Sequence, residues 1–247
     1  MTGGNGIMGI SFDYAMQATS TSTNYKVNFM SIIEYTESGE NMGYQASQDS
    51  LVQTWTMPKS NWNTWYGPYS GGSSSLAFNT STMDGILSLD GYISNVPVFL
   101  TENSYQLHPS EVKFIMGIDF TESYKSRTGQ SVLAIEANII TTSTITKDST
   151  SITIAGDQPG IFKWPSSAKN ANGKSVTVFA SDLTQLETNE WKMYFTLNST
   201  ERTTFEWSPS VSVINNPPPE EEKSAAGTNM VTGVQVLILL VVMLCSL

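Results

Sequence analysis

The chain has 247 residues, which is enough for one large domain or two small ones with a real hydrophobic core. Its 22 acidic and 12 basic residues give a formal net charge of -10, and a negative chain lacks the Lys and Arg excess with which proteins bind nucleic acid phosphates. We therefore expect no nucleic-acid partner, whereas cations and basic molecules are compatible with this charge.

Residues 1–24 form an N-terminal segment without the features of a secretory signal peptide. The segment has no basic start, and Gly9 and Asp13 interrupt its apolar residues. Because the C-terminal features described below require entry into the secretory pathway, we expect Met1 not to be the original start of the protein.

Residues 25–214 contain many short stretches in which apolar and polar residues alternate, as on half-buried strands. In the first, the apolar side chains of one parity are Tyr25, Val27, Phe29, Ile33 and Tyr35. Similar stretches lie at residues 51–57, 86–93, 111–120, 132–140, 161–164, 176–179, 191–197 and 203–207. About ten short strands separated by polar turns, with no helical apolar spacing before the C-terminal tail, predict an all-β antiparallel sandwich or jelly-roll-like domain.

The acid-containing segment at residues 34–49 is the best candidate for a calcium site. Calcium takes six to eight oxygen ligands. The candidate ligands are Glu34, Glu37, Glu40 and Asp49, with Asn41 and loop carbonyl groups beside them. The spacing does not match an EF-hand loop, so a solvated turn is the alternative interpretation. We expect no cofactor other than calcium.

Two stretches rich in aromatic residues follow. In residues 51–57, Leu51, Trp55 and Met57 share one parity, and we expect Trp55 to lie in the core. Residues 61–75 are aromatic and rich in Gly and Ser, which predicts a loop. Flat aromatic side chains suit the faces of pyranose rings, so Trp62, Trp65 and Tyr66, together with the nearby Tyr69, form a candidate sugar-stacking surface.

The Thr- and Ser-rich stretch at residues 141–154 has only isolated isoleucines, Ile145, Ile152 and Ile154. This composition predicts exposed or edge strands rather than a buried one. Two N-glycosylation acceptor sequences begin at Asn79 and Asn198, and both are expected beside turns.

The sequence contains few of the residues that catalytic sites commonly use. The single histidine, His108, precedes Pro109 and is expected in an exposed loop, and no G-x-S-x-G nucleophile turn occurs. The single cysteine, Cys245, lies in the C-terminal apolar stretch and provides no thiol nucleophile to the domain. Acids that are close in sequence, such as Asp119 and Glu122, resemble ordinary surface carboxylates, so a glycoside-acting enzyme is only a third interpretation. We expect no enzymatic activity.

The C-terminal residues have the order of a lipid-attachment signal. Residues 215–222, NNPPPEEE, predict a stiff acidic stalk, and Ser224 is the first of three small residues. A mild spacer at residues 227–235 and an apolar run at 236–247 follow, which is the order for a glycosylphosphatidylinositol (GPI) anchor on Ser224. A short membrane-spanning tail and an apolar end packed in the fold are the alternatives. A GPI anchor places the protein at the extracellular side of the plasma membrane.

Several motifs together resemble the acidic skeletal organic matrix proteins of cnidarians, including the skeletal aspartic acid-rich proteins. The motifs are FMSIIEYTESGE, DSLVQTW, STMDGILSLDGYIS, HPSEVKFIMGIDF, SVLAIEANI, IFKWPSSA and KMYFTLNSTERTTFEW, within residues 25–213. The resemblance implies an extracellular, often membrane-tethered domain associated with a mineralising matrix. No catalytic residues come with it. The chain differs from the family in having no acidic run beyond residues 220–222, and such runs are what would concentrate calcium.

The sequence therefore predicts a non-catalytic, GPI-anchored cell-surface protein with a structural, extracellular-matrix or adhesion role. Its partners would be the membrane, through the anchor or tail, and a matrix, glycan or mineral surface. The alternative is a carbohydrate- or calcium-binding β-sandwich module at the cell surface.

Overall fold

The computed structural model describes residues 8–15, 22–39, 43–56, 62–68, 75–82, 86–94, 96–100, 105–109, 111–119, 130–156, 159–201 and 203–213. Within these ranges the chain forms strands and no helix, which confirms the predicted all-β class, and no helix there is long and apolar enough to cross a membrane. The predicted stalk, attachment residue Ser224 and hydrophobic tail lie outside the described residues.

The first sheet is built around three adjacent antiparallel strands, β2, β10 and β17. Its strands are β1 (Met8–Ala15), β2 (Ser22–Thr36), β3 (Ser50–Thr56), β10 (Val132–Ile140), β15 (Ser175–Ala180), β16 (Thr184–Glu187) and β17 (Glu190–Leu197). Strands β1 and β3 pair one after the other along the outer side of β2, and β15 and β16 do the same along β17. The sheet thus begins at Met8, within the predicted N-terminal segment.

The second sheet is centred on β9. Its strands are β4 (Trp62–Pro68), β5 (Ser75–Thr82), β6 (Leu87–Ser94), β9 (Glu111–Asp119), β11 (Ile145–Lys147), β12 (Ser151–Ile154), β13 (Gly160–Lys163), β14 (Ser167–Asn170), β18 (Thr204–Trp207) and β19 (Ser210–Val213). The order is β4, β5, β6, β9, then β19, β13, β12 and β11, with β18 and β14 on the remaining part of β9. Strands β7 (Val98–Leu100) and β8 (Tyr105–Leu107) form a separate pair.

The two sheets pack face to face as a sandwich, and β15 belongs to both because it pairs with β14 and with β17. The first sheet contributes Val27, Phe29, Ile135 and Phe195 to the core among other residues, and the second contributes Leu89, Phe114, Phe162 and Trp207. Phe195 lies at the centre of an aromatic cluster, with ring centroids 5.8 Å from Phe162, 5.1 Å from Trp164 and 4.7 Å from Trp207. This alternation of inward apolar residues is what fixes the register of the strands.

The apolar residues of strand β2 do not all lie on the predicted face. Its register with β10 shifts after Phe29, so Met30 is the extra residue of a β-bulge. One extra residue reverses the alternation of faces. Ile32 therefore joins Phe29 in the main core, whereas Ile33 and Tyr35 belong to a second cluster. The prediction that one face holds all five residues was wrong for Ile33 and Tyr35.

Strand β3 shows the same effect. Gln53 and Leu51 pair with consecutive residues of β2. Val52, which lies between them, is therefore the extra residue of a β-bulge. Trp55 packs against the main core, as predicted, but Leu51 no longer shares its face and is 56% exposed. Val52 is 41% exposed. Apolar residues on one parity therefore do not mark one buried face of this strand.

The Thr- and Ser-rich stretch is less exposed than predicted. Strand β11 does lie at the end of the sheet, but β12 pairs on both sides, with β11 and β13. Ile152 and Ile154 are fully buried in the main core. The Thr and Ser residues occupy the other face of β12, so the stretch has a buried strand after all.

The hydroxyl group of Tyr25 joins the two sheets. It lies 3.1 Å from the carbonyl oxygen of Ile161 and 3.0 Å from that of Ser212, both in the second sheet, whereas Tyr25 belongs to β2 in the first. Burial raises the pKa of Tyr25 far above its usual value. The group therefore stays protonated, and its single hydrogen is shared between these two carbonyl groups, which satisfies a polar atom in an apolar core.

Candidate functional site

The turn at residues 43–49 lies against the outer face of the first sheet and is shaped by two acidic side chains, Asp49 within it and Glu37 before it. Asp49 Oδ2 accepts a hydrogen bond from the Gln45 N–H at 2.6 Å, and Oδ1 accepts one from the Ser38 N–H at 3.1 Å. Glu37 Oε1 accepts the Gly43 N–H at 3.1 Å. Gly43 has a φ of 123°, which an L-residue rarely adopts. The two carboxylates thus shape the turn.

Three tyrosines connect this turn to the sheet, and we call Tyr35, Tyr44 and Tyr194 the tyrosine cluster. The Tyr44 ring centroid lies 4.8 Å from that of Tyr35 and 4.8 Å from that of Tyr194. Thr196 Oγ1 accepts the Tyr44 N–H at 3.1 Å and is 3.1 Å from the Tyr35 hydroxyl oxygen. Burial raises the pKa of Tyr44 and of Tyr194, so both hydroxyl groups are neutral near pH 7.

A charged pair lies beside the tyrosine cluster. Lys192 Nζ is 2.7 Å from Glu136 Oε1 and 6.0 Å from the centroid of the Tyr194 ring, and Ser31 Oγ donates to Glu136 Oε2. Partial burial lowers the pKa of Lys192, but the hydrogen bond and the charge of Glu136 outweigh that effect and the net shift is upward. Lys192 is therefore cationic at neutral pH and held in place by Glu136.

Between the turn and strands β15 to β17 lies an open groove of about 690 Å³, which we call the tyrosine groove. Its walls combine aromatic, hydroxyl, amide, apolar and charged groups, including Tyr44, Gln45, Asp182, Thr184, Leu186, Lys192 and Tyr194. Small-ligand sites usually have volumes of about 300 to 1,000 Å³ and a few polar groups among apolar ones. The groove therefore has the size and the mixed chemistry of a site for a small or extended ligand.

Three of the four predicted calcium residues lie in the described part of the chain, and each accepts hydrogen bonds from protein groups. Glu34 is fully buried and accepts a hydrogen bond from Ser131, whereas Glu37 and Asp49 bond to backbone amides of the turn. Glu40 lies outside the described residues. Among the residues that the structure describes, no group of three or more His, Cys, Asp or Glu side chains could hold a metal ion. Glu37 and Asp49 thus bind the turn at residues 43–49 in the described part of this segment.

Within the predicted aromatic loop, residues 62–68 form strand β4, which pairs with β5 along its whole length, whereas Tyr69 lies outside the described residues. Trp62 lies opposite Thr82, Trp65 opposite Asn79 and Tyr66 opposite Phe78. Successive residues of a strand alternate between faces, so Trp62 and Tyr66 share a parity that Trp65 does not. The Gly- and Ser-rich composition predicted a loop, and it gave no indication that these residues pair with β5.

The two predicted glycosylation residues and His108 are exposed. Asn79 lies inside β5 rather than beside a turn, and its Nδ2 donates to Asp90 Oδ1. Asn198 is exposed directly after the end of β17, as expected. His108 is an exposed residue between strands, also as expected, and its N–H donates to Glu111 Oε2 at 3.3 Å.

The site also contains Lys192, Tyr194 and Thr196, which the sequence did not predict. All three lie on the polar parity of β17, opposite the core residues Met193, Phe195 and Leu197. A Lys and a Tyr on that parity were the only local signal, because their partner Tyr44 is about 150 positions away in the sequence. No protein family, no curated protein and no solved structure matches this chain.

Proposed function

We propose that this chain is a non-catalytic domain tethered to the outside of the cell, with a structural role in the extracellular matrix or in adhesion. The observation that carries the proposal is where the sandwich ends. Strand β19 (Ser210–Val213) lies between β13 and β9 inside the second sheet, and the Pro- and Glu-rich residues 215–222 follow within two residues. The last described strand thus ends before the stalk, the small residues around Ser224 and the apolar run begin.

In this proposal the lipid on Ser224 holds the domain at the outer leaflet and the stalk lifts it from the membrane. Proline-rich segments act as semi-rigid spacers of about 3.1 Å per residue. The net charge of -10 favours cations and basic matrix components as partners. The resemblance to skeletal organic matrix proteins supports the same role, and the protein needs no catalytic group to perform it.

The tether is tested on intact cells that express the full chain with an epitope inserted before Asn215. We expect phosphatidylinositol-specific phospholipase C to release the epitope into the medium. Replacing Ser224, Ala225 and Ala226 together with leucine removes the small residues that anchor attachment requires, so this variant should not be displayed in releasable form. A surface epitope that resists the enzyme contradicts the lipid anchor, and an epitope that never reaches the surface contradicts the location.

A second candidate function is carbohydrate binding, and the tyrosine groove favours it. The neutral hydroxyl groups of Tyr44 and Tyr194 donate and accept hydrogen bonds, as sugar hydroxyl groups require. Leu186 is 44% exposed in the same groove and offers an apolar contact for the C–H groups of a saccharide. Because Glu136 neutralises Lys192, the groove suits uncharged saccharides better than anionic ones.

Immobilised glycans distinguish this groove from the aromatic strand β4. We expect the Tyr194→Ala variant to bind at least about tenfold more weakly than the unchanged chain, whereas a Trp62→Ala and Trp65→Ala double variant keeps its affinity. Circular dichroism checks that each variant is folded. Loss of binding in the tryptophan variant alone would assign the ligand to β4 instead, and failure of the unchanged chain to bind any glycan contradicts both sites.

A further inference from the structure

We infer that Asn198 is the N-glycosylation site of this chain and that Asn79, the other asparagine in an acceptor sequence, stays unmodified. Both acceptor sequences, at residues 79–81 and 198–200, satisfy the Asn-x-Ser/Thr rule, so only the structure distinguishes them. The inference rests on the proposed extracellular location, because the sugar is transferred in the secretory pathway. It depends neither on the lipid anchor nor on the tyrosine groove.

Asn198 lies at the point where the chain leaves β17 and turns away from the sheet. Its N–H donates to the Thr177 carbonyl oxygen at 2.9 Å, and the Ser199 N–H donates to the Leu197 carbonyl oxygen at 2.7 Å, which closes a three-residue turn around Asn198. Leu197 is fully buried, whereas Asn198 and Thr200 are exposed. The acceptor asparagine and the hydroxyl residue that completes its acceptor sequence are therefore both accessible.

A glycan on Asn198 displaces no contact of the folded domain. The side-chain amide of Asn198 makes no hydrogen bond within the part of the chain that the structure describes. The loop that follows is held independently, because Glu201 accepts hydrogen bonds from Asn170 Nδ2 at 2.8 Å and from Lys174 Nζ at 3.2 Å. The loop therefore keeps its attachment to the β14–β15 hairpin when a glycan is present.

Asn79 differs from Asn198 although it is also exposed. It lies in the middle of β5, between Trp65 of β4 and Asp90 of β6. Its Nδ2, the atom to which a glycan would be attached, donates to Asp90 Oδ1. A sugar on that nitrogen competes with Asp90 and has to fit beside the side chain of a neighbouring strand, which weakens the cross-strand pair. We therefore expect the chains that fold and reach the cell surface to be unmodified at Asn79.

The sugar donor is an oligosaccharide linked through pyrophosphate to a membrane lipid, which the secretory pathway supplies. The Asn198 Nδ2 forms a bond to the anomeric carbon of the first sugar as the bond between that carbon and the pyrophosphate oxygen breaks. The lipid pyrophosphate leaves with the electron pair of the broken bond, and the amide loses one proton. The linkage itself adds bulk and hydrophilic surface but no charge.

Peptide N-glycosidase tests the inference on the cells that express the full chain with the epitope before Asn215. The enzyme removes N-linked glycans and leaves aspartate in place of the asparagine, so electrophoresis shows the loss of mass and peptide mass spectrometry shows its position. We expect the surface chain to lose one glycan, from Asn198. Asn198→Gln and Thr200→Ala should each abolish the loss of mass, whereas Thr200→Ser keeps the acceptor sequence and should retain it.

Asn79→Gln is the matched control, and the surface chain that carries it should lose the same glycan as the unchanged chain. A surface chain without a glycan, a glycan on Asn79, or a loss of mass that survives Asn198→Gln overturns the inference and leaves the tether in place. A chain that never reaches the surface and carries no glycan overturns the inference together with the proposed location. A surface chain that is glycosylated at Asn198 but that phospholipase C does not release supports the inference and contradicts only the lipid anchor.

Discussion

Replacing Phe195 with alanine is expected to lower the free energy of unfolding by about 3 to 5 kcal/mol. Phe195 is fully buried. Its ring contacts those of Phe162 and Trp207 in the second sheet and that of Trp164, which directly follows β13. Alanine would leave a cavity at the point where the two sheets meet, and rigid rings on three sides cannot all move to fill it. Denaturant unfolding, followed by the fluorescence of the tryptophans, measures the change.

Phe99→Ala is the matched control for this prediction. Phe99 is 59% exposed on β7, so the same truncation there should change stability by no more than about 0.5 kcal/mol. If the two variants are equally stable, the packing of the two sheets around Phe195 is wrong. If both variants lose several kcal/mol, the β7–β8 pair contributes to stability through contacts that the exposure of Phe99 does not indicate.

Local alternation predicted much of the fold. The stretches at residues 111–120, 132–140 and 191–197 became β9 (Glu111–Asp119), β10 (Val132–Ile140) and β17 (Glu190–Leu197). These strands have neighbours on both sides, and their inward residues are apolar without a break. Where burial on one face is this complete, the sequence alone predicts which face of the strand is buried.

Alternation failed where the partner strand decides the geometry. The bulges at Met30 and Val52 reverse the faces of β2 and β3, and nothing in the local composition marks them. Ile152 and Ile154 were misjudged for a related reason. The polar Thr and Ser residues of β12 are compatible with a buried strand because they occupy the face away from the core.

The candidate site was the least predictable part, because it is made by contacts between distant segments. The turn at residues 43–49 was noticed for its acids, which the structure uses to bind backbone amides. The turn forms a wall of the groove because it contacts Tyr194 and Thr196 of β17. No local sequence pattern predicts that β17 lies beneath the turn. Hydrophobic periodicity predicts buried faces, not which surface loop covers an outer face.

Thr196→Val is expected to lower the free energy of unfolding by about 2 kcal/mol, although valine has nearly the shape of threonine. Thr196 is 1% exposed, and its Oγ1 accepts the Tyr44 N–H and bonds to the Tyr35 hydroxyl group. Valine removes the oxygen and leaves the buried Tyr44 N–H without this acceptor, which costs more than the hydrogen bond contributes. Burial raises the pKa of Tyr35, so its hydroxyl group cannot ionise to relieve the loss near pH 7.

The position of the lost bond predicts where the damage appears. Because Thr196 attaches the turn to the sheet, hydrogen exchange of the Tyr44 amide should accelerate more than that of the β17 amides, and any ligand of the tyrosine groove should bind more weakly. Thr196→Ser keeps the oxygen and should recover most of the stability. Thr184→Val, on an exposed residue of the same groove, should stay within about 0.5 kcal/mol of the unchanged chain. A Thr196→Val variant that is fully stable and retains slow exchange at Tyr44 would mean that the aromatic contacts of Tyr44 alone hold the turn against the sheet.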